Sequence, residues 1–192
     1  MTKLVETTTD NEVKISGYTI VRRDRISNGG GGVCFYVKSS INFTMRMDLN
    51  VDTLENLSLE IQKPSCKLLV VVRWYRPPDS PIGIFSPFET LIGKLDSENT
   101  EYYLMGDLNC DMIATRYDND TGKMRITDID GLQQQLITEP TRITPTSAAL
   151  IDVIFTNCPD RIVCLSISDH SIVFAYRKLS INGTSRGHNE IT

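Results

Sequence analysis

The sequence predicts an α+β sandwich, and three observations carry that prediction. Short β-rich segments divided by turn residues run from Tyr18 to Tyr75. A helix start follows at Ser86, and a second group of strand-length apolar segments lies between Ile151 and Tyr176. Two groups of strands with a helical stretch in each half are the pattern of sheets covered by helices.

The first group divides into Tyr18 to Arg23, Val33 to Lys38, Ile41 to Arg46, Leu57 to Gln62 and Leu68 to Tyr75. Each is rich in β-branched and aromatic residues and bounded by Gly, Pro, Asn, Asp or Ser, so the stretch reads as consecutive antiparallel strands. Gly29 to Gly32 lie between the first two, with no following Gly-Lys-Ser/Thr, and read as a hairpin connection. Ser86, Pro87 and Glu89 give an N-cap, a first helical position and a capping-box acid. Phe88, Leu91, Ile92 and Leu95 follow at helical spacing and should face the core.

Glu101 to Met105 reads as a strand running into Gly106-Asp107-Leu108-Asn109. A loop is predicted over Tyr117 to Gly122 and a second helix over Asp128 to Leu136. Ile151 to Phe155, Ile162 to Ile167 and Ser171 to Tyr176 are the later strands. Residues 1–177 form one domain on this reading, long enough to bury a core without disulfides. Residues 178–192 are polar and read as a disordered tail.

Composition narrows the function classes. The chain is 40% hydrophobic, yet no apolar run reaches bilayer length, so no membrane role is expected. The opening residues lack a basic stretch followed by an apolar core, which points to a nuclear or cytoplasmic home. The five cysteines are scattered without a Cys-x-x-Cys pair and read as reduced, mostly buried thiols. A net charge of −4 argues against nonspecific electrostatic binding of nucleic acid, although an enzyme needs only a local basic patch.

Carboxylates at strand ends are the first candidates for chemistry, because the strand fixes their direction while the turn exposes them. Asp107, Asp152 and Asp169 fit. Alternation past an apolar strand puts Asp107 and Asn109 on one side with Leu108 opposite. The competing reading is an Asx-type turn that merely closes the strand. His170 is one of two histidines in the chain and directly follows an acid. It is either structural or catalytic, with Asp169 and Asp152 offering a metal ligand or an orienting partner for the imidazole. Tyr75 ends a long apolar run, and Arg76-Pro77-Pro78 forces the chain out of the strand. Its hydroxyl could meet a phosphate, or its ring could simply pack in the core. Arg22, Arg23, Arg25, Arg73, Arg76 and Arg142 are forks that match phosphate oxygens when they are not plain surface charge.

Taken in order, several segments resemble one family. They are Gly17-Tyr18 with Arg23-Asp24-Arg25, Gly30-Gly31-Gly32-Val33, Tyr75-Arg76-Pro77-Pro78, Gly106-Asp107-Leu108-Asn109, Thr141-Arg142, Ile151-Asp152 and Ser168-Asp169-His170. The series resembles the endonuclease domain of non-LTR (LINE-like) retrotransposons, which is similar to apurinic-site endonucleases and deoxyribonuclease I. The resemblance runs from about Gly17 to Tyr176. It implies a four-layer α/β/β/α sandwich of two mostly antiparallel sheets, with the site where the loops converge at the sheet edges. It further implies that Asp107 and Asn109 orient the water that attacks phosphorus, and that His170, held by Asp152, contacts the scissile phosphate. Asp169 would lie by a divalent metal, Mg²⁺ or Mn²⁺, and Tyr75 would bind phosphate. Thr141, Arg76 and Ser168 would complete the substrate side, with DNA as partner.

Members of this family open with a strand bearing an asparagine and continue to one ending in a metal-binding glutamate. The first strand is missing here, so the domain reads as N-terminally truncated, with Glu6 standing for the glutamate. Three functions follow as expectations: a Mg²⁺-dependent endonuclease leaving a 3′-hydroxyl nick, a catalytically impaired remnant with at most weak DNA binding, or a lipid or inositol phosphate hydrolase of the same fold.

Overall fold

The computed structural model describes residues 7–25, 32–62, 68–114, 134–165 and 174–177, the backbone alone for 162–165 and 174–177. The strands of the first group fall where alternation and turn residues place them: β1 (Tyr18–Asp24), β2 (Gly32–Lys38), β3 (Asn42–Met45), β4 (Glu55–Gln62) and β5 (Leu69–Tyr75). Helix α1 (Phe85–Ser97) then carries the chain back, as a parallel neighbour requires, to β6 (Glu101–Asp107). After it come β7 (Gln134–Gln135), β8 (Arg142–Thr144), β9 (Ser147–Ala149), β10 (Asp152–Thr156), β11 (Ile162–Leu165) and β12 (Phe174–Arg177).

The main sheet has six strands in the order β3-β4-β5-β6-β10-β7, and only β5 with β6 is parallel. β1 pairs with β2, β8 with β9 and β11 with β12 as separate antiparallel ribbons. Each face of the main sheet buries its own apolar cluster. Val70, Val72 and Trp74 of β5 and Tyr102 and Leu104 of β6 pack against Phe85, Phe88, Leu91, Ile92 and Leu95 of α1. Trp74 stacks on Phe88 at 4.2 Å and meets Phe85 edge-on at 6.4 Å. The opposite face sets Leu57, Leu59 and Tyr75 against Val21, Val33 and Val37 of the β1–β2 ribbon. Each large side chain buried this way is worth about 1.5–3 kcal/mol. Three layers of the expected α/β/β/α order are thus in place, helix on sheet on ribbon; the fourth has no member among the described residues.

Two helix expectations change. α1 begins at Phe85, with Ile84 at its N-cap and no side-chain cap, instead of at a Ser86 cap. The preceding 3₁₀ turn Ile82–Ile84 runs straight into it. Burying the Phe85 ring against Trp74 draws that residue into the first turn, where Pro87 still lacks nothing because its N–H would have no helical acceptor. The end of the helix expected over Asp128 to Leu136 is instead the short strand β7, paired with β10, and its residues 128–133 lie outside the described residues. Ladder pairing to a central strand outweighs local helical preference there.

Candidate active site

The end of β5 is where the main sheet gathers its polar residues. Glu55 is the register partner of Tyr75, Tyr75 is level with Asp107, and Asp107 stands opposite Asp152. Side chains at one register level share a face, so these residues form a single row across β4, β5, β6 and β10. It is the face that carries Leu57 and Leu59 into the ribbon cluster. The row therefore sits where the inter-layer core gives way to strand ends and loops.

Gly106 explains why the motif opens with a glycine. A Cβ at this position would come within 1.6 Å of the Trp74 carbonyl oxygen, so any side chain would force β5 and β6 apart beside Tyr75 and Asp107.

Beyond Asp107 the strand ends. The Asp107 carboxylate accepts the Asn109 N–H at 3.0 Å, and Asn109 takes a left-handed φ of 49°. The Asx-type turn and the acid–amide pair are thus both present, the turn forming around the pair. Leu108 is buried in the cluster on the helix side of the sheet. The Asn109 side-chain N–H donates to the Arg76 carbonyl at 2.8 Å, and Arg76 N–H donates to the Asp107 carbonyl at 3.0 Å. No described residue donates to the Asn109 side-chain oxygen.

Asp107 is half-buried, and that burial pushes its carboxyl above the ordinary carboxylate range. The Asn109 N–H pulls the other way, the Asp152 charge raises it further and Arg142 lowers it. A carboxylate with raised proton affinity is better suited to accept a proton from water.

Thr141 and Arg76 occupy different places from those the resemblance implies. Thr141 is 4% exposed, and its hydroxyl oxygen accepts the Ile151 and Asp152 N–H groups at 3.2 and 3.0 Å. It fixes the backbone that carries Asp152 instead of lining the open site. Arg76 is 1% exposed; its guanidinium donates to the Leu108 and Ser80 carbonyls at 3.2 Å each and lies 5.4 Å from the Phe85 ring centre. A side chain so enclosed braces the two loops and does not reach a substrate. Tyr75 combines both readings given above: its ring, 7% exposed, packs in the inter-layer cluster, yet it stands in the row. Glu6, Ser168, Asp169 and His170 lie outside the described residues.

One participant was not named from the sequence, and another was named there only within a group of arginines. Glu55 enters the row only through the β4–β5 register, which the length of the intervening turn sets and composition does not reveal. Arg25 stands out from its neighbouring arginines by its position 5.7 Å from the Tyr75 ring centre. Beside the row opens a cleft of about 510 Å³, lined among others by Arg23, Arg25, Gly32, Asp52, Glu55 and Pro77. Both arginines in it have acids as partners, Asp52 at 3.7 Å and Glu55 at 2.6 Å.

Among the described residues no three His, Cys, Asp or Glu side chains gather as a metal cluster. Asp107 and Asp152, with the Asn109 side-chain oxygen, are hard oxygen donors, the kind that an oxygen-preferring divalent cation accepts with water and phosphate completing its shell.

No family model matches the sequence, and neither does any curated protein. Solved structures do match. The endonuclease domain of TRAS1, a telomere-specific non-LTR retrotransposon, is 16% identical, with a TM-score of 0.69 over 88% of this chain and 83% of that one. An AP endonuclease from Archaeoglobus fulgidus is 14% identical, with a TM-score of 0.61 over 92% and 86%. The APE2 catalytic domain of Xenopus laevis is 14% identical, with a TM-score of 0.61 over 88% and 79%. At such identities the likeness is one of fold, and the fold of this chain is that of the endonuclease/exonuclease/phosphatase proteins.

Proposed function

We propose that the chain is a metal-dependent phosphodiesterase that nicks DNA. The observation that carries this reading is the register row in which Tyr75, Asp107 and Asp152 meet at the end of the inter-layer core. One hydroxyl donor and two carboxylates at neighbouring strand ends suit a phosphate oxygen, an attacking water and the group that balances their charge. Endonucleases among the similar structures put DNA ahead of a lipid or inositol phosphate.

In the reaction, Asp107 holds a water in line with phosphorus and takes its proton. The Tyr75 hydroxyl donates to a non-bridging oxygen whose charge grows in the transition state. Asp152 shares the site with Asp107 and is the carboxylate that would orient His170 toward the phosphate. The P–O3′ bond breaks as the new P–O bond forms, the 3′ oxygen leaves as an alkoxide that takes a proton from solvent, and the phosphate stays on the 5′ end. Asp152, joined by Glu6 and Asp169, would hold Mg²⁺ or Mn²⁺. That ion, when bound, supplies charge neutralisation at the phosphate and the leaving oxygen. Incubating supercoiled plasmid with the protein and Mg²⁺, then extending the nicks with a DNA polymerase, tests the proposal. Nicked circles that prime extension are expected; hydrolysis of a lipid phosphate with intact plasmid would overturn it.

A further inference from the structure

We infer that Glu55 and Arg25 form a positioning pair for Tyr75, holding a cation against its ring so that the phenol is fixed for phosphate contact. The inference rests on reading the row as a phosphodiesterase site.

Glu55 is fully engaged by its surroundings. One carboxylate oxygen accepts the Arg25 Nε–H at 2.6 Å, and the other accepts the Gly32 N–H at 3.1 Å. Arg25 directly follows β1 and Gly32 opens β2, so a single side chain clasps the two ends of the chain between the ribbon strands. Gly32 is suited to the clasp: its φ is 100°, and a Cβ there would stand 2.4 Å from the Arg23 carbonyl oxygen. Any other residue would displace the N–H that Glu55 receives.

The clasp determines where Arg25 lies. With Nε fixed on Glu55, the planar guanidinium sits 5.7 Å from the Tyr75 ring centre. Arg25 and Glu55 keep only 23% and 21% of their side-chain surface exposed, so water screens the contact weakly. The same register that makes Glu55 the partner of Tyr75 makes Tyr75 level with Asp107. The pair therefore acts on a direct register neighbour of the attacking-water residue, on the side away from Asp152. A cation beside a phenol strengthens the hydrogen bond that its O–H donates, and a fixed ring removes the cost of orienting it in the transition state. Glutamate to glutamine keeps the shape but loses the charge-assisted bond, and lysine in place of arginine keeps charge without the flat fork.

A double-mutant cycle of nicking kinetics on the full chain tests the inference, using Glu55→Gln, Arg25→Lys, Tyr75→Phe and their combinations. Each of the first two should lower kcat roughly tenfold with little change in KM, and should have almost no further effect in the Tyr75→Phe background. Losses that multiply with Tyr75→Phe would overturn it, because a merely structural role weakens both backgrounds alike. The Tyr75 ring resonances, identified by their absence in Tyr75→Phe, give a second readout that needs no activity. They should move in Glu55→Gln while thermal stability holds; unmoved resonances would overturn the pair as a positioning device. Wild-type protein that never nicks DNA overturns the phosphodiesterase reading itself, and the resonances then decide the contact alone.

Discussion

Asp107 closes β6 directly opposite Asp152 at the start of β10, and the Asp152 charge adds to the burial that raises the Asp107 carboxyl. Two carboxylates on one face of neighbouring strands oppose each other at neutral pH. Strand ends gain no stability from such a pair. Their juxtaposition supports the proposed phosphodiesterase site, and several consequences can be measured.

Asp107→Asn should make the metal-free protein more stable. A carboxyl raised on folding contributes stability that is complete below its unfolded value and is lost as pH rises through its folded value. At pH 7 the native protein therefore carries a cost that asparagine removes, while the acceptor for the Asn109 N–H remains. Thermal melts in EDTA should show a midpoint about 2 °C higher at pH 7, with the gain shrinking toward pH 4. A lower midpoint at pH 7 would contradict the assignment.

Thr141 should matter through Asp152. Thr141→Val leaves the Ile151 and Asp152 N–H groups without their acceptor and should cost about 1–3 kcal/mol in urea denaturation. Thr141→Ser keeps the oxygen and should recover most of that loss. Equal stability for the two variants would show that the hydroxyl is dispensable.

Arg76 should behave as an internal brace. Arg76→Ala strands two carbonyls and empties space beneath Phe85, at a cost of about 2–4 kcal/mol. Wild-type stability combined with weaker, less salt-sensitive DNA binding would instead return it to phosphate contact.

Gly106→Ala should be among the most damaging single changes. The added methyl meets the Trp74 carbonyl, and no flexible neighbour can yield. A loss above about 2 kcal/mol is expected in urea denaturation. Tolerance of alanine would mean that β5 and β6 are further apart than described.

Much of this arrangement was legible from residues alone because local and tertiary demands agree. Alternation and turn residues located the early strands, and the apolar spacing of Phe88, Leu91, Ile92 and Leu95 named the buried face of α1. Gly106-Asp107 was legible because a glycine and an acid at a strand end are required by separate physical causes. Asn109 was legible as the partner of Asp107, while the turn that gives it a left-handed backbone was legible only as the competing reading. Glu55 was invisible because cross-strand register decides its place, and Thr141 and Arg76 looked substrate-facing because burial is set by chain segments far away in sequence. The short β8–β9 ribbon carries too few apolar residues to announce itself.

The most direct test of the central claim is the single-turnover nicking rate of supercoiled plasmid in Mg²⁺ for wild type, Asp107→Asn, Asp152→Asn and the double variant. If the row is one catalytic unit, each single variant should fall by about 100-fold or more, and the double should be no slower than the worse single. EDTA should abolish the wild-type rate. Asp152→Asn nicking at the wild-type rate, or an Asp107→Asn rate that no longer depends on Mg²⁺ yet remains undiminished, would contradict the account.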